Sequence, residues 1–137
     1  MIKVWTPFNR EFYKYYCECK ALYESVQEKI GDKNSFDFIC KNTFFYLFET
    51  DGILIGAIYY FVRADDKMYL NAFAKRKKHL LNMECLKKSL TWFQGDIYAE
   101  ARNRASAFCL LRCGFKRVNG SLFVYKFAEY VINCNSM

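Results

Sequence analysis

The sequence has 137 residues, 53% hydrophobic and 20% aromatic, with a formal net charge of +7. That length suits one domain over residues 1–137 with a core of its own, and no apolar run approaches the ~20 residues a membrane helix needs. Seven cysteines, an odd number, argue against a disulfide scaffold, and one histidine with a lone Cys17-x-Cys19 pair argues against a metal site. The N-terminal MIKVWTPF does not resemble a signal peptide, so reduced thiols in a cytoplasm are expected, either of a bacterium or of a virus-infected host.

Residues 2–6 (IKVWT) form a short strand ended by Pro7, and Asn9 is placed to cap a helix. Phe12, Tyr15, Tyr16, Cys19, Leu22, Tyr23 and Val26 recur at spacings of three and four, which predicts one apolar helix face, and Gly31 closes that helix. Residues 32–42 suit either a loop or a short helix around residues 36–40. Residues 43–49 are aromatic and β-prone, and Asp51-Gly52 is a hairpin signal. Residues 53–63 (ILIGAIYYFVR) are apolar almost throughout, which predicts a central strand covered on both faces.

After a turn at residues 64–66, residues 68–74 (MYLNAFA) make a fourth strand. Leu80, Met83, Leu86, Leu90 and Phe93 recur at spacings of three and four and predict a helix, stopped at Gln94-Gly95. Residues 96–101 (DIYAEA) alternate as a fifth strand, and strand, helix, strand makes a βαβ unit. Asn103 caps a helix over residues 104–113, and Gly114 follows it. Residues 115–118 and 121–127 flank Asn119-Gly120, a type I′ hairpin signal. The fold class is therefore α+β, one mixed and mostly antiparallel sheet with a βαβα core and helices on both faces. The aromatic residues are expected mainly to fill a small core.

The cations concentrate in the βαβα region, at Lys75, Arg76, Lys77, Lys78, Lys87, Lys88, Arg102, Arg104, Arg112, Lys116 and Arg117. An excess of this size points to an anionic partner: a phosphorylated cofactor, nucleic acid or an acidic protein surface. Four cations at a helix entry oppose the helix dipole, which argues for an anion there; a solvated helix entry is the alternative.

The element order resembles the GNAT fold of the N-acetyltransferases. Asn103-x-x-Ser106 through Cys113-Gly114-Phe115 is similar to that family's fourth-helix signature, and Asp51-Gly52 through Gly56 to its meander. The resemblance implies acetyl-CoA as cofactor and an amine as substrate, with no metal. It implies that Phe73, Ala74, Lys75, Arg76, Lys77, Lys78 and Asn103 hold the cofactor. Asn71 would contact substrate or pantetheine, and Glu100, ending the fifth strand, would be the catalytic base. Bland roles compete at each place: a cap for Asn103, an ion pair with Arg102 or Arg104 for Glu100, and a strand-end polar group for Asn71.

The sequence departs from the family at two points. With Arg76 aligned to the first position of the phosphate loop, His79 and Leu81 stand where glycines would let backbone N–H groups approach a pyrophosphate. Leu110 stands where many members carry a Tyr that protonates the leaving thiolate. A glycine-poor, basic turn also resembles the divergent GNAT-like proteins of tailed phages. That resemblance implies an inactive fold serving virion assembly or another protein partner, in a phage-infected cell or in the virion itself. Three readings stand: an acetyl-CoA-dependent N-acetyltransferase, a catalytically inactive GNAT-like binding protein, and a nucleic-acid-binding domain. The last has least support, since no recognised nucleic-acid motif is present.

Overall fold

A computed structural model describes residues 1–127. Cys134 and the rest of residues 128–137 lie outside the described residues. Strands β1 (Ile2–Trp5), β2 (Phe44–Thr50), β3 (Ile53–Val62), β4 (Met68–Ala74), β5 (Ile97–Glu100), β6 (Lys116–Asn119) and β7 (Leu122–Tyr125) form one sheet in the order β1-β2-β3-β4-β5-β7-β6. Only β4 and β5 run parallel, joined by the crossover helix α3 (His79–Ser89); the other neighbours are antiparallel. Helices α1 (Tyr16–Ile30) and α2 (Phe36–Asn42) cover one face, and α3 with α4 (Arg104–Arg112) covers the other. No helix among the described residues is long and apolar enough to cross a membrane.

The length and apolar character of β3 place it inside the sheet. Its side chains alternate between two cores: Ile58 and Tyr60 pack toward α3 and α4, whereas Ala57 and Tyr59 pack toward α1 and α2. The second core is built largely of rings. Phe45 and Tyr59 stack at 5.7 Å between centroids, and Phe36 meets Phe45 edge-on at 5.5 Å, arrangements aromatic quadrupoles favour. Burial of Tyr59 pushes its hydroxyl pKa up, and Asp32, which accepts a hydrogen bond from it at 2.7 Å, adds to the shift.

Several local expectations change. The first helix is preceded by a 3-10 turn over Arg10–Lys14, and Asn9 does not cap it; its side-chain oxygen instead accepts from the Thr6 N–H at 2.8 Å. Residues 36–42 are helical because Ser35 caps them through the Phe38 N–H. On α3 the buried face is Asn82, Cys85, Leu86 and Ser89, while Leu80 is 76% exposed. Of the regular apolar positions, Leu86 and Leu90 are buried and Met83 and Phe93 pack against the same core, so Leu80 alone of them faces out. Asp51 and Gly52 both take positive φ, as a type I′ hairpin requires, but at the last hairpin only Gly120 does. The register shift between Arg117 and Asn119 accommodates that different turn.

Candidate functional site

The parallel pairing of β4 and β5 lasts two residues, Met68 with Ile97 and Tyr69 with Tyr98. Beyond it β5 stays with β7, through Ala99 and Glu100, while β4 stays with β3 up to Ala74. The two strands therefore part, and a cavity of about 500 Å³ opens between them. Val26, Lys29 and Ile30 of α1 lie at one side; His79, Asn82, Met83 and Leu86 of α3 and Ser106, Cys109 and Leu110 of α4 lie at the other. Residues 70–74 and Ala99, Glu100, Arg102 and Asn103 complete the walls. A smaller hollow of about 270 Å³, lined by Asp32, Lys33, Arg63 and Tyr69 among others, adjoins it. Ile30, Leu70, Asn71, Glu100 and Arg102 line both spaces and so form the partition between them.

The partition is held by polar contacts. Asn71 donates to the Ile30 carbonyl at 3.1 Å, which ties β4 to the end of α1. Glu100 ends β5 and holds Arg63 at 2.7 Å and Arg102 at 3.7 Å. Arg104, the other cation beside it in sequence, makes no ion pair with it among the described residues. Arg63 also lies over the Tyr69 ring, 4.0 Å from its centroid. The Arg102 guanidinium occupies the space that a side chain at Gly31 would need, against the left-handed C-cap of α1. A cation there complements the negative end of that helix.

Asn103 caps α4, accepting from the Ser106 N–H at 2.8 Å, and also lines the cavity. Asn103→Ala should lower stability by about 1 kcal/mol, read as a fall in the urea midpoint. Asn103→Asp, which keeps the acceptor, should hold it.

The cationic turn does not line the cavity. Lys75 is turned onto α1, where it pairs with Glu18, and its N–H donates to the Ile55 carbonyl at 2.9 Å. Arg76, Lys77 and Lys78 make no ion pair among the described residues. They stand at the start of α3, which has no side-chain cap. The first-turn N–H groups of α3, at residues 79–81, have no partner within the helix, as at any helix start. Phe73 and Ala74 reach the cavity at the end of β4, although the Phe73 ring belongs to the core under α1.

Some residues here went unassigned in the sequence. Asn82 has a buried side-chain oxygen with no hydrogen-bond partner among the described residues. His79, Ser106 and Cys109 also line the cavity. Leu110 lines it with no proton to give, whereas Ser106 and Cys109, on the same helix, carry exchangeable protons. Burial pushes the thiols of Cys85 and Cys113 up to about 11, so neither is a ready nucleophile. Among the described residues no group of side chains could hold a metal ion.

Three solved structures that match over most of their lengths share this fold. An aminoglycoside acetyltransferase in complex with coenzyme A superposes with a TM-score of 0.70 at 11% identity, over 98% of this chain and 99% of that one. An N-acetyltransferase from Staphylococcus aureus Mu50 gives 0.67 at 13%, over 93% and 99%. This chain has the GNAT fold. A Campylobacter jejuni N-acetyltransferase in complex with acetyl coenzyme A gives 0.57 at 12%, over 92% and 99%. No family model and no curated protein matches the sequence.

The residues present suit coenzyme A in part. The divergent strands offer a walled cavity for an extended arm, and Asn82, whose side-chain oxygen has no partner among the described residues, lies in its wall. Three unpaired cations flank one end of α3 for phosphates. No glycine occurs between residues 75 and 81, so the close backbone approach that a glycine permits is not built into the GNAT fold here.

Proposed function

We propose that the chain is an acetyl-CoA-dependent N-acetyltransferase acting on a primary amine. The observation that carries the reading is the cavity between β4 and β5, with Glu100 at the partition it shares with a second, polar hollow. Acetyl-CoA supplies the activated acetyl group when bound. The larger cavity then receives the cofactor arm along residues 70–74 of β4, and the polar hollow receives the amine. Asn71 fixes β4 against the end of α1 and Asn103 fixes the start of α4, so both steady the walls of the opening. Glu100 takes the proton of the attacking amine at a carboxylate oxygen, directly or through one water. Positioning the amine against the thioester supplies most of the rate gain.

Glu100 favours a second reading as well. Its carboxylate already accepts from Arg63 and faces Arg102, and two cations beside it favour the ionised form and make it a weaker base. With Leu110 unable to protonate a leaving thiolate, the same site suits a protein that binds the cofactor, or a protein partner, without turnover.

Thiol labelling separates these outcomes. Cys109 is half-buried in the cavity wall and Cys17 is exposed on α1. Acetyl-CoA should slow labelling of Cys109, leave Cys17 unchanged, and be consumed in the presence of a primary amine. Glu100→Gln should then lower kcat about a hundredfold or more with protection retained. Protection without consumption across an amine screen supports the binding reading. Absence of protection at millimolar acetyl-CoA sinks the enzyme and cofactor-binding readings and leaves the protein partner.

A further inference from the structure

The described residues contain three buried polar side chains: Glu49, Asn82 and Ser89. Two are satisfied. Glu49 accepts from the Trp5 indole N–H at 3.2 Å and from the Gly52 N–H at 3.0 Å. Ser89 shares a 2.5 Å hydrogen bond with the Tyr60 hydroxyl and donates to the Leu86 carbonyl at 2.9 Å. Asn82 is the exception. It is 7% exposed, and its Oδ1 has no hydrogen-bond partner among the described residues. Leaving such a group unpaired in the interior destabilises the fold. A leucine would fit the same helical position and remove that cost, so the folded chain by itself gives no reason for an amide.

The location supplies one. Asn82 lies one turn into α3, in the wall of the large cavity, between the cationic helix start and the partition at Glu100. A carboxamide offers one acceptor and two donors. Its complement is a ligand that carries peptide-like amides along an extended chain. Phosphate would repel Oδ1, and a plain alkyl chain would leave the amide unsatisfied. We propose that Asn82 is a binding residue for the amide-bearing arm of the ligand, pairing with an amide of the pantetheine segment of coenzyme A. This rests on the cofactor reading above. Asn82 holds the arm in register along the cavity, between phosphates at the cationic turn and the thioester near Glu100.

The test compares wild type with Asn82→Leu and Asn82→Gln. Isothermal titration would use coenzyme A and adenosine 3′,5′-bisphosphate, which lacks the pantetheine arm, and thermal unfolding would use the ligand-free proteins. Asn82→Leu should melt at or above the wild-type temperature, because it removes an unpaired buried group. It should bind coenzyme A about tenfold more weakly and adenosine 3′,5′-bisphosphate unchanged. Asn82→Gln, which keeps the amide on a longer stem, should recover part of the lost affinity. Unchanged coenzyme A affinity in Asn82→Leu, with the wild type binding normally, overturns the assignment alone. So does a clear fall in the melting temperature of Asn82→Leu, which would give Asn82 a structural partner. Failure of the wild type to bind coenzyme A overturns the cofactor reading, and this inference with it.

Discussion

Replacing Gly56 with valine is expected to cost about 3 kcal/mol of stability, near the upper end for overpacking a close-packed site. Gly56 pairs with Phe48 of β2 on one side and with Ala74 of β4 on the other. On β2, Phe48 and Glu49 are adjacent, yet their partners on β3 are Gly56 and Leu54, so Ile55 is an extra, bulged residue. A Cβ at Gly56 would overlap the Phe73 carbonyl oxygen and lie 2.7 Å from Ala74 Cα. Both are backbone atoms, so no side chain can rotate away. The strand must move, and it carries the cavity wall with it. The effect should appear as a fall of about 10 °C in the melting temperature, with a smaller fall for Gly56→Ala. A melting temperature within a degree or two of wild type for Gly56→Val would mean that β3 and β4 are not so tightly apposed.

Gly56 also shows how far the sequence could be read. Its place in the pattern Asp51-Gly52 through Gly56 was visible, but the reason for a glycine, contact with a neighbouring strand's backbone, is a tertiary fact. The element order was legible because period-two and period-three-to-four patterns are local. So were Gly31 and Gly114, both at positive φ after a helix. The buried face of α3 was legible in part. Leu86 is buried and Met83 packs against the core as the apolar spacing suggested, but Leu80 is exposed and the inward stripe also includes Asn82 and Ser89. A helix that lines a cavity need not show only apolar side chains to the interior, and Asn82 and Ser89, in line with Cys85 and Leu86, carry no local sign of burial. The partners of Glu100 were half legible. Arg102 is two residues away, whereas Arg63 reaches it only because β3 and β5 flank β4. The cavity itself follows from the two-residue length of the β4–β5 pairing, which no local pattern encodes.

The second large effect concerns the start of α3. Arg76→Ala, Lys77→Ala and Lys78→Ala combined should weaken acetyl-CoA binding between tenfold and about a hundredfold at low salt, at up to about 1 kcal/mol for each exposed charge. The loss should shrink as added salt screens the wild-type attraction. Lys75→Ala should do much less, because that side chain is committed to Glu18. The same triple variant should leave the ligand-free protein as stable as wild type or slightly more so, since cations at a helix N-terminus oppose the macrodipole. Affinity and stability thus move in opposite directions, the pattern also expected at Asn82. In both places a residue that the fold alone would not choose stands where a ligand carrying phosphates and amides would satisfy it. Glycine at positions 79 and 81 supplies the converse test. His79→Gly with Leu81→Gly opens the backbone N–H groups of the first turn and should tighten binding if phosphates reach them. If the triple variant binds acetyl-CoA as the wild type does and the glycines change nothing, the phosphates do not sit at α3, and the cationic turn serves a different anion.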